Sequence, residues 1–145
     1  MSESLEQAHH CFAIETSGQG FVDITRTVRR WLQDIKAGNG LLTVFLRHTS
    51  ASLVIQENAD SDVRDDLLDT LNRLAPAGDT YRHTIEGSDD MPAHIKAMLT
   101  ASSLGIPVID GAPALGTWQA IYLVEHRARP HRREAVLHFI GSRSL

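Results

Sequence analysis

The stretch Leu115-Gly116-Thr117-Trp118-Gln119-Ala120-Ile121-Tyr122-Leu123-Val124-Glu125 decides how the chain is read. In an extended segment, side chains alternate between two faces. Trp118, Tyr122 and Val124 then share one face, and Ile121 and Leu123 share the other. A run that is apolar on both faces and rich in aromatic and β-branched residues reads as a covered strand. Downstream, Arg127–Arg133 with Pro130 is a basic turn, and Ala135–Ile140 is a last strand ending at Gly141. Upstream, Ile106–Ile109 is a strand and Asp110-Gly111-Ala112-Pro113 a turn. Leu41–Leu46 is a continuous apolar run, suited to a strand covered on both faces, and Ala51–Ile55 is apolar again. Cys11–Thr16 alternates and reads as a strand, followed by a turn at Ser17-Gly18-Gln19-Gly20.

Between these strands the period changes to that of a helix. Ile24, Val28, Trp31, Leu32 and Ile35 share one helical face, with Gly38 as the expected stop and Asn39-Gly40 as a turn. Val63, Leu67, Leu71 and Leu74 form a second stripe, with acids crowding the first turns, where the helix dipole favours them. Asp90-Met91-Pro92 signals a third helix start, since proline suits the first helical position. That helix is expected to reach about Ser102, with Ile95, Met98 and Leu99 facing inward. About six strands and three short helices result, without the strict βαβ rhythm of a parallel sheet. The expected fold is α+β: a mostly antiparallel, jelly-roll-like β-sandwich with about three short helices. Residues 1–145 read as a single domain, with 1–8 as a flexible tail.

Composition narrows the function. The 145 residues carry a formal net charge of −4, against the basic stripe of a general nucleic-acid binder. Cys11 is the single cysteine, so no intrachain disulfide is possible and a reducing compartment is expected. The N-terminus lacks the pattern of a signal peptide, and no run approaches the roughly 18 apolar residues of a membrane span. Cytoplasmic localisation is expected, with no membrane partner. Eight histidines are the unusual count.

Two of them lie in Tyr81–His94, a segment with His83, Glu86, Asp89, Asp90 and His94 and almost no apolar residue. Such a loop is solvated or faces a ligand. His94, in the first turn of a helix, could be a neutral imidazole that ligates a metal or acts as a base, or could simply cover the helix end. His48 ends the apolar run 41–46 and opens His48-Thr49-Ser50, a polar triplet at a strand end, where sites are often built. Asn58, Asp60 and Asp62 stand at a helix start, where capping alone explains most of the pattern. Gly116 permits close approach by a ligand or chain, and Trp118 could stack on a substrate or fill core. Glu125 and His126 point to opposite faces of a regular strand, so they should not both reach one site unless a bulge intervenes. Arg127, Arg129, Arg132 and Arg133 read as a solvated hairpin tip or as a phosphate clamp.

The ordered motifs His48-Thr49-Ser50-Ala51-Ser52, Glu57-Asn58-Ala59-Asp60, Tyr81-Arg82-His83, Glu86-Gly87, Asp89–Lys96 and Leu115–Gln119 resemble the YjbQ-like family, also called secondary thiamine-phosphate synthase. The resemblance spans about Phe12 to Gly141. It implies a compact α+β β-sandwich assembled as a homotrimer, with pockets near subunit interfaces that take metal or anions. It also implies a weak thiamine-phosphate-synthase activity, joining a pyrimidine diphosphate to a thiazole phosphate and releasing diphosphate. Carried over by residue, His48, His83, His94 and Asp60 are the expected catalytic group. Ser50, Asn58, Glu86, Gly116, Thr117, Trp118 and Gln119 are the expected contacts to a small phosphorylated molecule. His83 and His94, with a carboxylate or His126, are expected to hold a divalent metal, zinc-like or magnesium. A metal-assisted hydrolase and a non-catalytic metal- or anion-binding module are the alternatives.

Overall fold

The computed structural model describes residues 4–78 and 80–144. Strands β1 (Glu6–Thr16) and β2 (Gly20–Asp23) lead into helix α1 (Thr25–Asp34). Strands β3 (Ala37–Leu46) and β4 (Ala51–Glu57) precede α2 (Ser61–Leu74). After a loop come α3 (Asp90–Leu99), β5 (Ser103–Ile109), β6 (Ala112–Pro113), β7 (Gln119–Glu125) and β8 (His131–Arg143). The fold is α+β, with three helices and two antiparallel sheets, ordered β1-β8-β3-β5-β6 and β2-β7-β4. Among the described residues, no helix is long and apolar enough to cross a membrane.

One core joins the two sheets. Leu42, Val44 and Leu46 of β3 and Leu137 and Phe139 of β8 cluster with Leu53 of β4, Ile121 and Leu123 of β7, and Val28, Trp31 and Leu32 of α1. Each large apolar side chain fully buried there contributes about 1.5–3 kcal/mol. Strand β7 is central in the smaller sheet, and Ala120–Val124 are buried on both of its faces, which is why that run is apolar throughout.

Several expectations are corrected. Of the expected tail 1–8, residues 1–3 lie outside the described residues, while Glu6–Ala8 open β1, paired with Phe139–Gly141. The strand read from Leu115 begins at Gln119, because a turn closed by Gln119 N–H to Gly116 O occupies 116–119. Helix α1 ends before Gly38, since Lys36 itself takes the left-handed conformation (φ 56°) and the chain turns there. Asn39-Gly40 is therefore not a turn but part of β3, next to a bulge. Gly40 is required by contact: a Cβ there would lie 2.2 Å from the Ile140 carbonyl oxygen. Strand β3 is covered on one face only, with Leu41 and Phe45 exposed beside Ile140 on the outer face of the large sheet. On α3, Met98 and Leu99 face solvent rather than core. Helix α2 has no buried residue, so its stripe only lies along the surface.

Candidate metal centre

The loop after α2 returns to the body of the protein at the start of α3. Asp90 stands in the first turn of α3 and is 2% exposed, although it is a carboxylate. Its burial is compensated from three sides. Oδ2 lies 2.6 Å from His83 Nε2 and 3.0 Å from His94 Nε2, and Oδ1 accepts from Arg127 Nη1 at 2.7 Å. Arg127 also donates to Asp89 Oδ2 at 3.1 Å and to the Glu86 carbonyl at 2.9 Å, tying the loop to the end of β7. Burial pushes the Asp90 carboxyl up, but the His83 hydrogen bond and the charges of His94 and Arg127 outweigh it and hold the group below its ordinary value.

His83, Asp90 and His94 offer ligand atoms that all lie within 4.8 Å of one another. The set fits a divalent ion by its donor chemistry. His94 Nδ1 is 2.8 Å from the Thr49 carbonyl oxygen, which can only accept, so Nδ1 carries the hydrogen. That leaves Nε2, the nitrogen beside Asp90, as the ligand atom. A metal-bound histidine is usually oriented in this way by a backbone carbonyl or carboxylate on its other nitrogen. Two Nε2 atoms aimed at one carboxylate oxygen are bridged either by protons or by a cation.

A cavity of about 310 Å3 opens beside this cluster, walled by His48, Thr49, Ala51, His94, Ala97, Met98 and Ser102. His48 therefore faces the same cavity as His94. Its Nε2 accepts the Glu134 backbone N–H at 2.7 Å, so the ring is a neutral imidazole with hydrogen on Nδ1. Burial and the nearby charge of Arg133 depress its protonation, in the same sense.

The other expected site residues lie elsewhere. His126 is not a third ligand. It is buried, and its Nε2 is 2.8 Å from Ser52 Oγ, while Asp90 completes the set instead. Ser50 is buried and accepts from Arg133 Nη2 at 3.0 Å. It belongs to an internal network in which Arg133 clasps Glu125, which also accepts a hydrogen bond from the Thr16 hydroxyl at 2.6 Å. Arg127 and Arg133 are thus internal ion-pair partners, neither a solvated tip nor a phosphate clamp. Glu86 gives its backbone carbonyl to Arg127, and its residue is exposed. Asp60 caps α2, accepting from Asp62 N at 2.9 Å. Asn58, Asp60, Gly116, Thr117, Trp118 and Gln119 gather where Glu57 pairs Gln119, whereas Ala51 pairs Glu125 at the other end of the same ladder. Six residues of strand put roughly 20 Å between these ends. Within one chain, this second group does not meet the histidines.

Asp90 is the candidate-site residue that sequence reasoning counted among the acids of Tyr81–His94 but did not single out, giving it only the role of a helix start. The signal was present: Asp90 and His94 are four apart on one helix, hence on one face.

The model of the UPF0047 protein YjbQ-like family matches residues 10–142. The chain belongs to the YjbQ-like family. The UPF0047 protein of Synechocystis is 46% identical over 139 residues, covering 95% of each chain. The YjbQ protein of Escherichia coli O157:H7 is 40% identical over 124 residues, covering 85% of this chain and 90% of its own. Among solved structures, the YjbQ/UPF0047 protein of Clostridium acetobutylicum superposes with a TM-score of 0.84 at 37% identity, covering 90% of this chain and 98% of that one. A protein of Aeropyrum pernix, described as hypothetical, gives 0.86 at 29% identity, covering 93% and 99%.

Proposed function

We propose that this YjbQ-like protein is a metal-dependent enzyme acting on a small phosphorylated molecule at the His83–Asp90–His94 cluster. The observation that carries the reading is the orientation of His94, whose Nδ1 is tied to the Thr49 carbonyl so that Nε2 is aimed at the same carboxylate oxygen that His83 faces. A bound divalent ion would stabilise anionic oxygens or lower the pKa of a bound water. Around it, Arg127 holds Asp90 in place, the Thr49 carbonyl orients His94, and His48 offers a hydrogen-bond donor to the adjoining cavity.

The reaction to test first is the one the family resemblance suggests, a thiamine-phosphate-synthase-like transfer. There the thiazole nitrogen bonds to the methylene carbon of the pyrimidine while the carbon–oxygen bond to diphosphate breaks. Metal-assisted hydrolysis is the second reading. It is favoured by the donor set, since two histidines and one carboxylate suit a catalytic zinc, whereas diphosphate chemistry commonly uses magnesium held by oxygens. Assembly as a homotrimer is part of the proposal. It would give the exposed Leu41, Phe45 and Ile140 a partner, and it would allow the Asn58 and Trp118 group of one copy to approach the histidines of another.

The test combines metal analysis of the purified protein, a coupled diphosphate-release assay and sedimentation analysis. The proposal expects bound divalent metal, turnover lost in His83→Ala with the fold intact, and a trimer. Metal without turnover on any phosphorylated substrate would instead support a non-catalytic binding module.

A further inference from the structure

Behind helix α3 lies a second cavity, of about 160 Å3, whose walls include Lys96, His126, Asp89, Asn72 and Gln19. Lys96 and His94 are two residues apart on a helix, about 200° around its axis, so this cavity and the metal cluster occupy opposite sides of α3. The cavity opens to solvent between Gln19, Asn72 and Ala77, which are all exposed.

A chain of hydrogen bonds beneath the cavity fixes what its wall offers. Thr100 has one hydroxyl hydrogen, and the Lys96 carbonyl oxygen, 2.8 Å from Oγ1, accepts it and can do nothing else. Thr100 Oγ1 therefore accepts from the Ser52 hydroxyl at 2.6 Å. Ser52 Oγ in turn accepts from His126 Nε2 at 2.8 Å. His126 is 2% exposed, and burial pushes its pKa down to about 4, so the ring is neutral at neutral pH. A neutral ring with its hydrogen on Nε2 has a bare acceptor at Nδ1. That Nδ1 is buried and, among the described residues, has no hydrogen-bond partner. Buried polar atoms are almost always hydrogen-bonded, so this one calls for a donor.

Two further groups narrow the kind of donor. Lys96 is 3% exposed, and Asn72 Oδ1, 2.6 Å from Nζ, takes one of its three hydrogens. Asp89 keeps acceptor capacity. Its short bonds, from Arg127 Nε at 3.1 Å and from the Ala128 N–H at 2.8 Å, both fall on Oδ2, while Oδ1 has a 3.5 Å contact to Arg127 Nη2. One small cavity thus presents an imidazole acceptor, a carboxylate acceptor and an ammonium donor. An anion meets no hydrogen on Nδ1 and is repelled by Asp89. A cation is repelled by Lys96. An apolar molecule leaves all three groups unmatched. Neighbouring hydroxyls on a neutral molecule match them, because each hydroxyl both donates and accepts.

We propose that this cavity binds a small neutral polyol, one hydroxyl donating to His126 Nδ1, another to Asp89, and a hydroxyl oxygen accepting from Lys96 Nζ. The inference does not depend on the metal reading, because His83, Asp90 and His94 do not line the cavity.

The test uses isotope-labelled wild-type protein at neutral pH with unlabelled glycerol as the probe. Nuclear Overhauser effects from the carbon-bound hydrogens of glycerol report the polyol itself and are blind to water. Saturable effects on the His126 ring hydrogen that lies between the two nitrogens are expected. Acetone, of similar size but without a donor, should give none. Lys96→Met removes the ammonium and should weaken glycerol binding by about ten- to a hundredfold. Because that change touches a buried side chain, Ala77→Phe provides a second variant: Ala77 is exposed at the cavity wall, and an aromatic ring there fills the mouth. It should abolish the effects while folding normally. The proposal is overturned if glycerol gives no effect on His126, which would leave the cavity to water. It is equally overturned if acetone acts as strongly as glycerol, or if the glycerol effects persist in Ala77→Phe.

Discussion

Asp90→Asn is the substitution that best separates a metal centre from a mere hydrogen-bonded loop anchor. It preserves shape and removes one negative charge from a site that is 2% exposed. The amide oxygen can still accept from Arg127, which also keeps its bond to Asp89. What is lost is the anionic Oδ2 between the two imidazoles. Charge-assisted hydrogen bonds contribute about 1.5–3 kcal/mol each, and Arg127 retains a partner, so a destabilisation of about 2–3 kcal/mol is expected. For a domain of this size, that lowers Tm by roughly 5–10 °C. The effect on metal should be larger. Loss of an outer contact to a ligand typically costs 10–100-fold in affinity, and loss of a ligand itself should exceed about 100-fold. Calorimetric zinc titration against a competing chelator, run beside thermal unfolding, measures both. Zinc affinity equal to wild type in Asp90→Asn would refute the assignment. Affinity kept in Asp90→Asn but lost in His126→Gln would move the site to His126.

Arg133→Met leaves Glu125 as a buried charge without its main partner, and unfolding measurements should show a loss of about 3–5 kcal/mol. Burial raises the Glu125 carboxyl, but hydrogen bonds from Arg133, Thr16 and the Arg127 N–H lower it further than burial lifts it. Its contribution is therefore complete above its ordinary value of 4.5 and is lost as pH falls below that, so Arg133→Met should flatten the acid limb of the stability curve. Burial, helped by the charge of Lys96, pushes His126 down from 6.5 to about 4. Between those values the unfolded chain holds the proton and the folded chain does not, so stability should rise with pH by about 3 kcal/mol across that window, and His126→Gln should remove the rise. Asp60→Ala should cost about 1 kcal/mol through the lost cap on α2 and leave zinc affinity unchanged; a loss of zinc binding would restore Asp60 to the site.

Strand order was not legible in the sequence, but most elements were, because their apolar spacing is set by the core they face. The exceptions have local causes. Strands β2 and β6 are four and two residues long, too short to display a period. The end of α1 was misread because Gly38 and Asn39-Gly40 look like a stop, whereas Lys36 takes the left-handed turn. Met98 and Leu99 were assigned inward on apolarity alone, yet they border or overlook an open face. At the site, His83 and His94 stood out because a loop so poor in apolar residues has no core role. Asp90 and the arginines did not stand out. Charged residues are ordinarily exposed, and only three-dimensional pairing across 37 positions makes Asp90–Arg127 an internal contact.

That pairing also sets the charge of the metal cluster. Asp89 and Asp90 bring two negative charges, and Arg127 returns one, so the immediate surroundings of the histidines carry one net negative charge when both imidazoles are neutral. Anions are repelled from such a cluster, and a divalent cation is attracted. Under the proposed function, binding that cation reverses the local sign to one net positive charge, beside the cavity that His48 and His94 share. Phosphorylated ligands should then enter the front cavity only in the metal-loaded protein. A chelator alone, without any substitution, should therefore abolish that entry.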